Sequence, residues 1–216
     1  MNIILFGPPG AGKGTQAENI TKTFNLHKIS TGDLLRNEIL IKSDLGNKIK
    51  SIINKGSFVS DDIINDLISK VLSNKDYYNR LIFDGYPRNL EQAKNLELLV
   101  KKNNQKISCV LSLNVNKDSI LKRILGRVIC TKCGEIFNKY FKPVDNKKHL
   151  CDSKFLEKRS DDNEKTVVKR YQTYLDKTLP ILDFYKDLNL LYEIDGEAEI
   201  DDISVKISGI IASLEA

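Results

Sequence analysis

No stretch of this 216-residue chain approaches the ~20 consecutive apolar residues that a membrane-crossing helix requires, so no membrane partner is expected. Nor do the first residues form a secretory leader: no basic segment precedes the apolar run, and Pro8-Pro9-Gly10 cuts that run short. Cysteine is sparse, and four in a chain of this length do not make a disulfide scaffold. Together these absences lead to the expectation of a cytoplasmic protein. Histidine is sparser still, with only His27 and His149, and neither sits in a pattern suited to acid–base catalysis. Internal repeats and low-complexity tracts are lacking. What is present is an ordinary globular balance, 41% hydrophobic and 29% charged, with enough apolar material for a full core. The length fits one domain with insertions or two small ones. A net charge of +5 suits small polyanionic ligands without calling for nucleic acid.

Short apolar runs alternate with helical patterns. Strands are expected at 2–6, 25–29, 80–84, 107–115 and 190–194. Helices are expected near 13–24, 31–42, 44–54, 61–73, 89–102, 117–126, 162–187 and 200–213, with Pro180 kinking or splitting the long one. Such alternation predicts an α/β fold with a mainly parallel sheet. Two stretches interrupt it. Residues 30–59 read as a helical insertion, and 128–159 as a small lobe rich in cysteine, lysine and turn residues. Tyr174, Leu175 and Leu179, ahead of Pro180, read as core packing rather than a ligand site.

Residues 7–15, GPPGAGKGT, follow the apolar run Ile3-Ile4-Leu5-Phe6 directly. A strand that runs into a glycine-rich loop and then a helix holds phosphates: its N–H groups point inward, and glycine lets the chain approach anionic oxygens. The spacing from Gly7 to Gly12-Lys13 is that of a P-loop, with Lys13 reaching toward the terminal phosphates. Its hydroxyl comes one position late, at Thr15 after Gly14. Phosphoryl transfer spreads negative charge over several oxygens, so the protein must supply position, cations and dryness. Asp84 ends the strand-like run Leu81-Ile82-Phe83 and is placed to hold a Mg²⁺-bound water. The turn Gly85-Tyr86-Pro87 then delivers Arg88 beside it. Read alone, Thr31 or Asp33 in the segment 30–36 is a helix cap and Arg36 a surface residue. Arg123 and Arg127 share a helical face, and Arg159 and Arg170 follow the cysteine-rich lobe. Four arginines around one lobe fit a hinged cover that brings cations to a phosphate chain.

These segments carry a family resemblance. GPPGAGKGTQA at 7–17, STGDLLR at 30–36, GSFVSD at 56–61, FDGYPRNLEQA at 83–93, RILGRVIC at 123–130 and RSDDNEKTVVKR at 159–170 resemble the adenylate kinases, from Met1 to about Ile211, in their long-lid form. The resemblance implies a P-loop NTPase-type core with a parallel five-stranded sheet (1–29, 60–127 and 160–216), a monophosphate-binding insertion (30–59) and a lid (128–159). It implies Mg²⁺-dependent transfer between ATP and AMP to give two ADP, by a monomer. Carried over by residue, Gly10, Ala11, Gly12, Lys13, Gly14 and Thr15 bind the ATP phosphates. Arg123 stacks on the ATP base, Arg127 meets its phosphates, and Ile136, Phe137 and Ala198 lie on the ATP side. Thr31, Arg36, Ser57, Phe58, Val59, Gly85, Tyr86, Pro87, Arg88 and Gln92 bind AMP, with Gln92 reading the adenine edge. Arg159 and Arg170 close over the transferring group, and Asp161 and Asp162 orient the lid arginines or capture metal waters. Tyr86 replaces a usual Phe, and Asn89 stands where many members carry Thr and pyrimidine monophosphate kinases often carry Asn.

Cys130-Thr131-Lys132-Cys133-Gly134 is half of a zinc site, and Cys151 is spaced to begin the other half. The family's usual fourth position is Lys154 here, which leaves Asp152, His149 or a degenerate site. Zinc would staple the lid rather than act in catalysis. Cys109 reads as core. Two other functions compete: a kinase for UMP or CMP, and a zinc-knuckle nucleic-acid module using Lys139, Lys142, Lys147 and Lys148. The long lid and Val59-Ser60-Asp61 favour AMP, and the sparse aromatics near the lysines disfavour nucleic acid.

Overall fold

The computed structural model describes residues 1–41, 44–54 and 59–215. The chain begins with β1 (Asn2–Phe6), α1 (Lys13–Phe24), β2 (His27–Ser30), α2 (Thr31–Leu40), α3 (Asp44–Asn54) and α4 (Asp61–Leu72). It continues through β3 (Leu81–Asp84), α5 (Leu90–Lys102), β4 (Ile107–Asn114) and α6 (Lys117–Leu125). Three short strands follow, β5 (Arg127–Cys130), β6 (Ile136–Asn138) and β7 (Leu156–Glu157). The chain closes with α7 (Glu164–Thr173), α8 (Ile181–Asp187), β8 (Leu191–Asp195) and α9 (Ile200–Glu215).

A five-stranded parallel sheet, ordered β2-β3-β1-β4-β8, forms the centre, as the alternating pattern requires. Its strands read as unbroken apolar runs because both faces are covered. Ile3 and Leu5 point to one side, where Ile82, Cys109 and Leu111 meet Ala17 and Ile20 of α1 and Ile203, Ile207 and Ile211 of α9. Ile4 and Phe6 point to the other, against Leu96 and Val100 of α5 and Ile181 and Tyr185 of α8. Each fully buried side chain of this size contributes about 1.5–3 kcal/mol. Cys109 is core, as expected, and burial pushes its thiol up to about 12.

Asparagine starts many of the helices. Asn89, Asn116 and Asn163 each accept a hydrogen bond from the backbone N–H three residues on, at 2.8, 2.9 and 3.0 Å. Such caps satisfy donors that the first helical turn leaves unpaired.

The long helix read at 162–187 splits at Pro180 as expected, into α7, a π-helical turn over Tyr174–Thr178 and α8 beginning just after Pro180. Other expectations need correction. α6 ends at Leu125, so Arg127 opens β5 and does not share a helical face with Arg123. Leu179 is 41% exposed rather than core. The lobe after residue 126 also has regular structure, since β5 pairs antiparallel with both β6 and β7 in a second sheet, ordered β6-β5-β7. Strands of two to four residues are too short to show periodicity.

Register fixes the place for chemistry. Ser30 pairs with Asp84, and Leu5 with the same Asp84, so the carboxyl ends of β2, β3 and β1 lie level. The loop after β1 leaves where the chain order reverses, with β3 on one side and β4 on the other. In open parallel sheets that crevice is where ligands bind.

Candidate active site

The loop after β1 folds as a cradle. Gly10 has φ 81°, and a Cβ there would lie 2.7 Å from Ile124 Cγ1, so only glycine fits. Gly12 has φ 94° and leads into α1, whose first residues Lys13, Gly14 and Thr15 line the crevice. Lys13 Nζ donates to the Gly7 and Pro8 carbonyls at 2.8 and 2.9 Å. Burial drives this ammonium down to about 8; the Asp84 carboxylate opposes the shift, while Arg88, Arg170 and Arg127 reinforce it.

One cleft gathers the rest. Gly10 through Thr15, Arg123, Arg127, Ile136, Phe137 and Ala198 line it, as do Arg36, Val59, Asp84, Gly85, Pro87, Arg88, Arg159 and Arg170. Thr31, Tyr86 and Gln92 line a smaller adjoining cavity together with Val59, Gly85 and Arg88. Ser57 and Phe58 lie outside the described residues.

The arginines are held by neighbours from several elements. Arg127 donates from Nε to Asp162 Oδ2 at 2.8 Å and pairs through its second nitrogen with Oδ1, a bidentate fork. Arg170 pairs with Asp161 at 2.7 Å. Both aspartates thus meet arginine. Arg36 pairs with Asp33 on the next helical turn. Arg88 Nε donates to the Gly85 carbonyl at 2.6 Å, and Thr178 Oγ1 donates to the Arg88 carbonyl at 2.8 Å. Burial lowers Arg88 and Arg159 to about 10 and also lowers Arg170, and neighbouring cations add to each shift. Arg159 Nε is buried without a hydrogen-bond partner. Crowded, partly desolvated cations of this kind are stabilised by a polyanion, and buried donors want an acceptor.

The start of α2 at residue 31 is as expected, but its cap is neither Thr31 nor Asp33. Ser30 caps it, accepting from the Asp33 N–H at 3.2 Å, while Thr31 Oγ1 donates to the Gly85 carbonyl at 2.8 Å across 54 residues. Tyr174, read as plain packing, is buried yet lines the cleft, and so does Thr178. Phe141 lines it as well, with the Arg123 guanidinium 5.4 Å from its ring centroid. Nothing in local spacing marks these three: Tyr174 and Thr178 reach the cleft through the π-helical turn, and Phe141 through the fold of the small sheet.

At the end of β5 and in the loops beside the second sheet, Cys130, Cys133, His149 and Cys151 bring one ligand atom each within 4.8 Å of one another. Tetrahedral ligands at ~2.0–2.3 Å from a zinc ion stand about 3.5 Å apart, and Cys133 Sγ lies 3.6 Å from His149 Nε2. The four residues therefore fit a tetrahedral divalent ion. His149 is buried and its ring packs edge-on against Phe137, centroids 4.8 Å apart. Asp152 instead pairs with Lys154 at 3.4 Å, outside the cluster. Burial works against a thiolate at Cys130, but hydrogen bonds from the Cys133 and Lys132 backbones and from the Cys133 and His149 side chains hold its pKa well below the ordinary thiol value.

Known proteins are similar to this chain along nearly the whole sequence. The family model described as adenylate kinase matches residues 5–190. The adenylate kinase of Pelagibacter ubique is 51% identical over 211 residues, 98% of this chain and 99% of that one. The adenylate kinase of Bacillus cytotoxicus is 41% identical over 216 residues, 99% of this chain and all of that one. The adenylate kinase of Methanocella arvoryzae is 40% identical over 216 residues, again 99% of this chain and all of its own. Similarity that runs almost end to end in each pair places this chain in the adenylate kinase family.

Proposed function

We propose that this family member carries out its nucleotide interconversion, ATP + AMP ⇌ 2 ADP, inside the cleft just described, with the two nucleotides bound tail to tail. The observation that carries the assignment is the convergence of Lys13, Arg36, Arg88, Arg123, Arg127, Arg159 and Arg170 on one space at the carboxyl edge of the sheet. No single segment holds more than two of these cations. In this reading the cradle Gly10–Thr15 holds the ATP phosphates, Arg123 flanks the ATP base, and Ile136, Phe137 and Ala198 complete that side. Thr31, Arg36, Val59, Gly85, Tyr86, Pro87, Arg88 and Gln92 form the AMP side.

The acceptor oxygen of AMP is already ionised at neutral pH, so no general base is required. Catalysis then rests on alignment, cation stabilisation and exclusion of water. Residues 30–59 form the monophosphate-binding part and 128–159 the lid, with 1–29, 60–127 and 160–216 as the core. Closure brings Arg127, Arg159 and Arg170 over the transferring phosphoryl, and Asp161 and Asp162 hold two of those arginines in line.

For Mg²⁺, the oxygen donors fit: the Asp84 carboxylate lies beside Gly14 and lines the cleft with the Thr15 hydroxyl. Asp84, through water, and Thr15 would hold the ion, which supplies charge neutralisation across the phosphates. Zinc is the ion we assign to Cys130, Cys133, His149 and Cys151, as a staple for the lid. Every residue that lines the cleft comes from one chain, which supports a monomer. The chain is assigned to the cytoplasm, a reducing compartment that keeps such a cysteine cluster as thiols. Among the described residues no helix is long and apolar enough to cross a membrane.

A coupled ADP-formation assay with ATP and each nucleoside monophosphate, with and without Mg²⁺, tests the reading. AMP is expected to be the best acceptor, and faster turnover of UMP would overturn the choice. Arg88→Ala is expected to lower turnover by about 10²-fold or more with the fold intact, as loss of a phosphate-stabilising cation does. Near-normal activity in that variant would refute its role.

A further inference from the structure

We infer that Asp61, braced by Asn89, is a positioning residue that fixes which way the Gln92 amide faces, and so sets the preference for a 6-aminopurine monophosphate over a 6-oxopurine one. The inference rests on the proposed role of Gln92 at the AMP base.

The oxygen and nitrogen of a glutamine amide have nearly the same shape, and a half-turn exchanges them, so only hydrogen-bond partners decide which faces where. Gln92 is 2% exposed and clamped at both atoms. Its Oε1 accepts the Arg88 backbone N–H at 2.7 Å, and its Nε2 donates to Asp61 Oδ1 at 2.5 Å. The reversed orientation would set an NH₂ against an N–H and a carbonyl oxygen against a carboxylate, and both contacts repel.

Asp61 opens α4, 31 positions before Gln92 in the chain, and an ionised carboxylate can only accept. Asn89 holds that carboxylate in place. Its Nδ2 donates to Asp61 Oδ1 and Oδ2 at 3.2 and 3.0 Å, while its Oδ1 caps α5 by accepting the Gln92 N–H at 2.8 Å. A threonine at 89 could keep the cap, but its single hydroxyl could not also donate to both carboxylate oxygens.

The clamp leaves Gln92 one N–H and one lone pair of Oε1, at a cavity it lines with Leu35, Val59, Ile64 and Gly85. A 6-aminopurine offers the complement, a ring-nitrogen acceptor and an exocyclic amine donor. A 6-oxopurine offers the inverse, N1–H and a carbonyl. A clamped amide therefore matches the first at both atoms and opposes the second at both, which is discrimination by repulsion as well as attraction.

The test is the ratio of kcat/KM for AMP over IMP, two monophosphates that differ only around C6 and N1. Asp61→Asn removes the acceptor-only group, and its ratio is expected to fall between about five- and hundredfold, the span that one bidentate base contact governs. Asn89→Thr keeps the cap and loses the brace, and a smaller fall in the same direction is expected. In both, KM for AMP should rise more than kcat falls, with KM for ATP unchanged. Asp61→Glu, which restores a carboxylate, should recover part of the ratio. General loosening of the fold would slow AMP and IMP alike and leave the ratio where it was. A ratio within twofold of the parent in Asn89→Thr and in any Asp61→Asn that folds overturns the inference, as does a parent protein that uses AMP and IMP equally. A parent inactive toward AMP would instead sink the functional reading itself.

Discussion

Lys13 supplies the sharpest quantitative expectation. In the protein alone its ammonium is pushed down to about 8, because it is buried and has Arg88, Arg170 and Arg127 nearby, with only Asp84 opposing them. A triphosphate laid against it reverses that balance and returns it to the ordinary lysine value of 10.5 or above. Its protonated share without nucleotide then drops from about 90% at pH 7 to about 10% at pH 9. ATP affinity, measured without AMP, should therefore weaken about tenfold over that span, or ~1.4 kcal/mol. Arg88 and Arg159 titrate nearer 10 and stay charged throughout, so the drop belongs to Lys13. At pH 8, calorimetry in two buffers of different ionisation enthalpy should show uptake of about half a proton per ATP bound. Lys13→Arg, charged at every pH in the range, should flatten both signals. Linkage sets a companion sign. The unfolded chain holds the Lys13 proton up to about 10.5 and the fold only to about 8, so the unfolded state binds more protons between them. This one group therefore makes the nucleotide-free fold more stable as pH rises through that window. Affinity constant within twofold from pH 7 to 9, or no proton uptake at pH 8, would refute the argument.

Protein purified without chelator is expected to carry about one zinc per chain. Chelation, Cys151→Ser or His149→Ala should each remove it and lower the melting temperature, and a stoichiometry near zero ends the zinc assignment. Asp162→Asn tests the arginine fork: the Asp162 side chain is 1% exposed and that of Arg127 16%. The stability loss should be smaller than the ~3–5 kcal/mol of stripping one partner from a buried pair, since the amide keeps one acceptor oxygen. Turnover should fall about tenfold or more, as Arg127 is no longer held bidentately, and steady-state rates equal to the parent's would remove Asp162 from the mechanism.

The parts of the site that could be read along the chain are those whose chemistry is local. The glycine cradle, its lysine and the flanking strand lie within fifteen residues, so spacing alone identifies them. The sheet strands announce themselves because burial on both faces demands unbroken apolar runs. The asparagine caps also act over three residues, yet the cap read at Thr31 or Asp33 belongs to Ser30, since Thr31 answers to Gly85 rather than to its own helix. Leu179 looked like core by its spacing and is exposed, because the π-helical turn over Tyr174–Thr178 changes the helical phase just ahead of it.

Other features depend on groups far apart in the chain. His149 joins Cys130 and Cys133 only after β5 and β6 pair and the loop beyond them folds back. Asp61 reaches Gln92 because α4 and α5 pack side by side behind the cleft. Thr178 finds the Arg88 carbonyl across 90 residues. Sequence by itself determined the fold class, the phosphate cradle and the supply of arginines, because those follow from periodicity and short-range backbone geometry. Tertiary structure alone decided which arginine each carboxylate holds, which imidazole completes the thiol cluster and which way an amide faces. Such choices are made by distances between side chains that only the packed fold brings within reach.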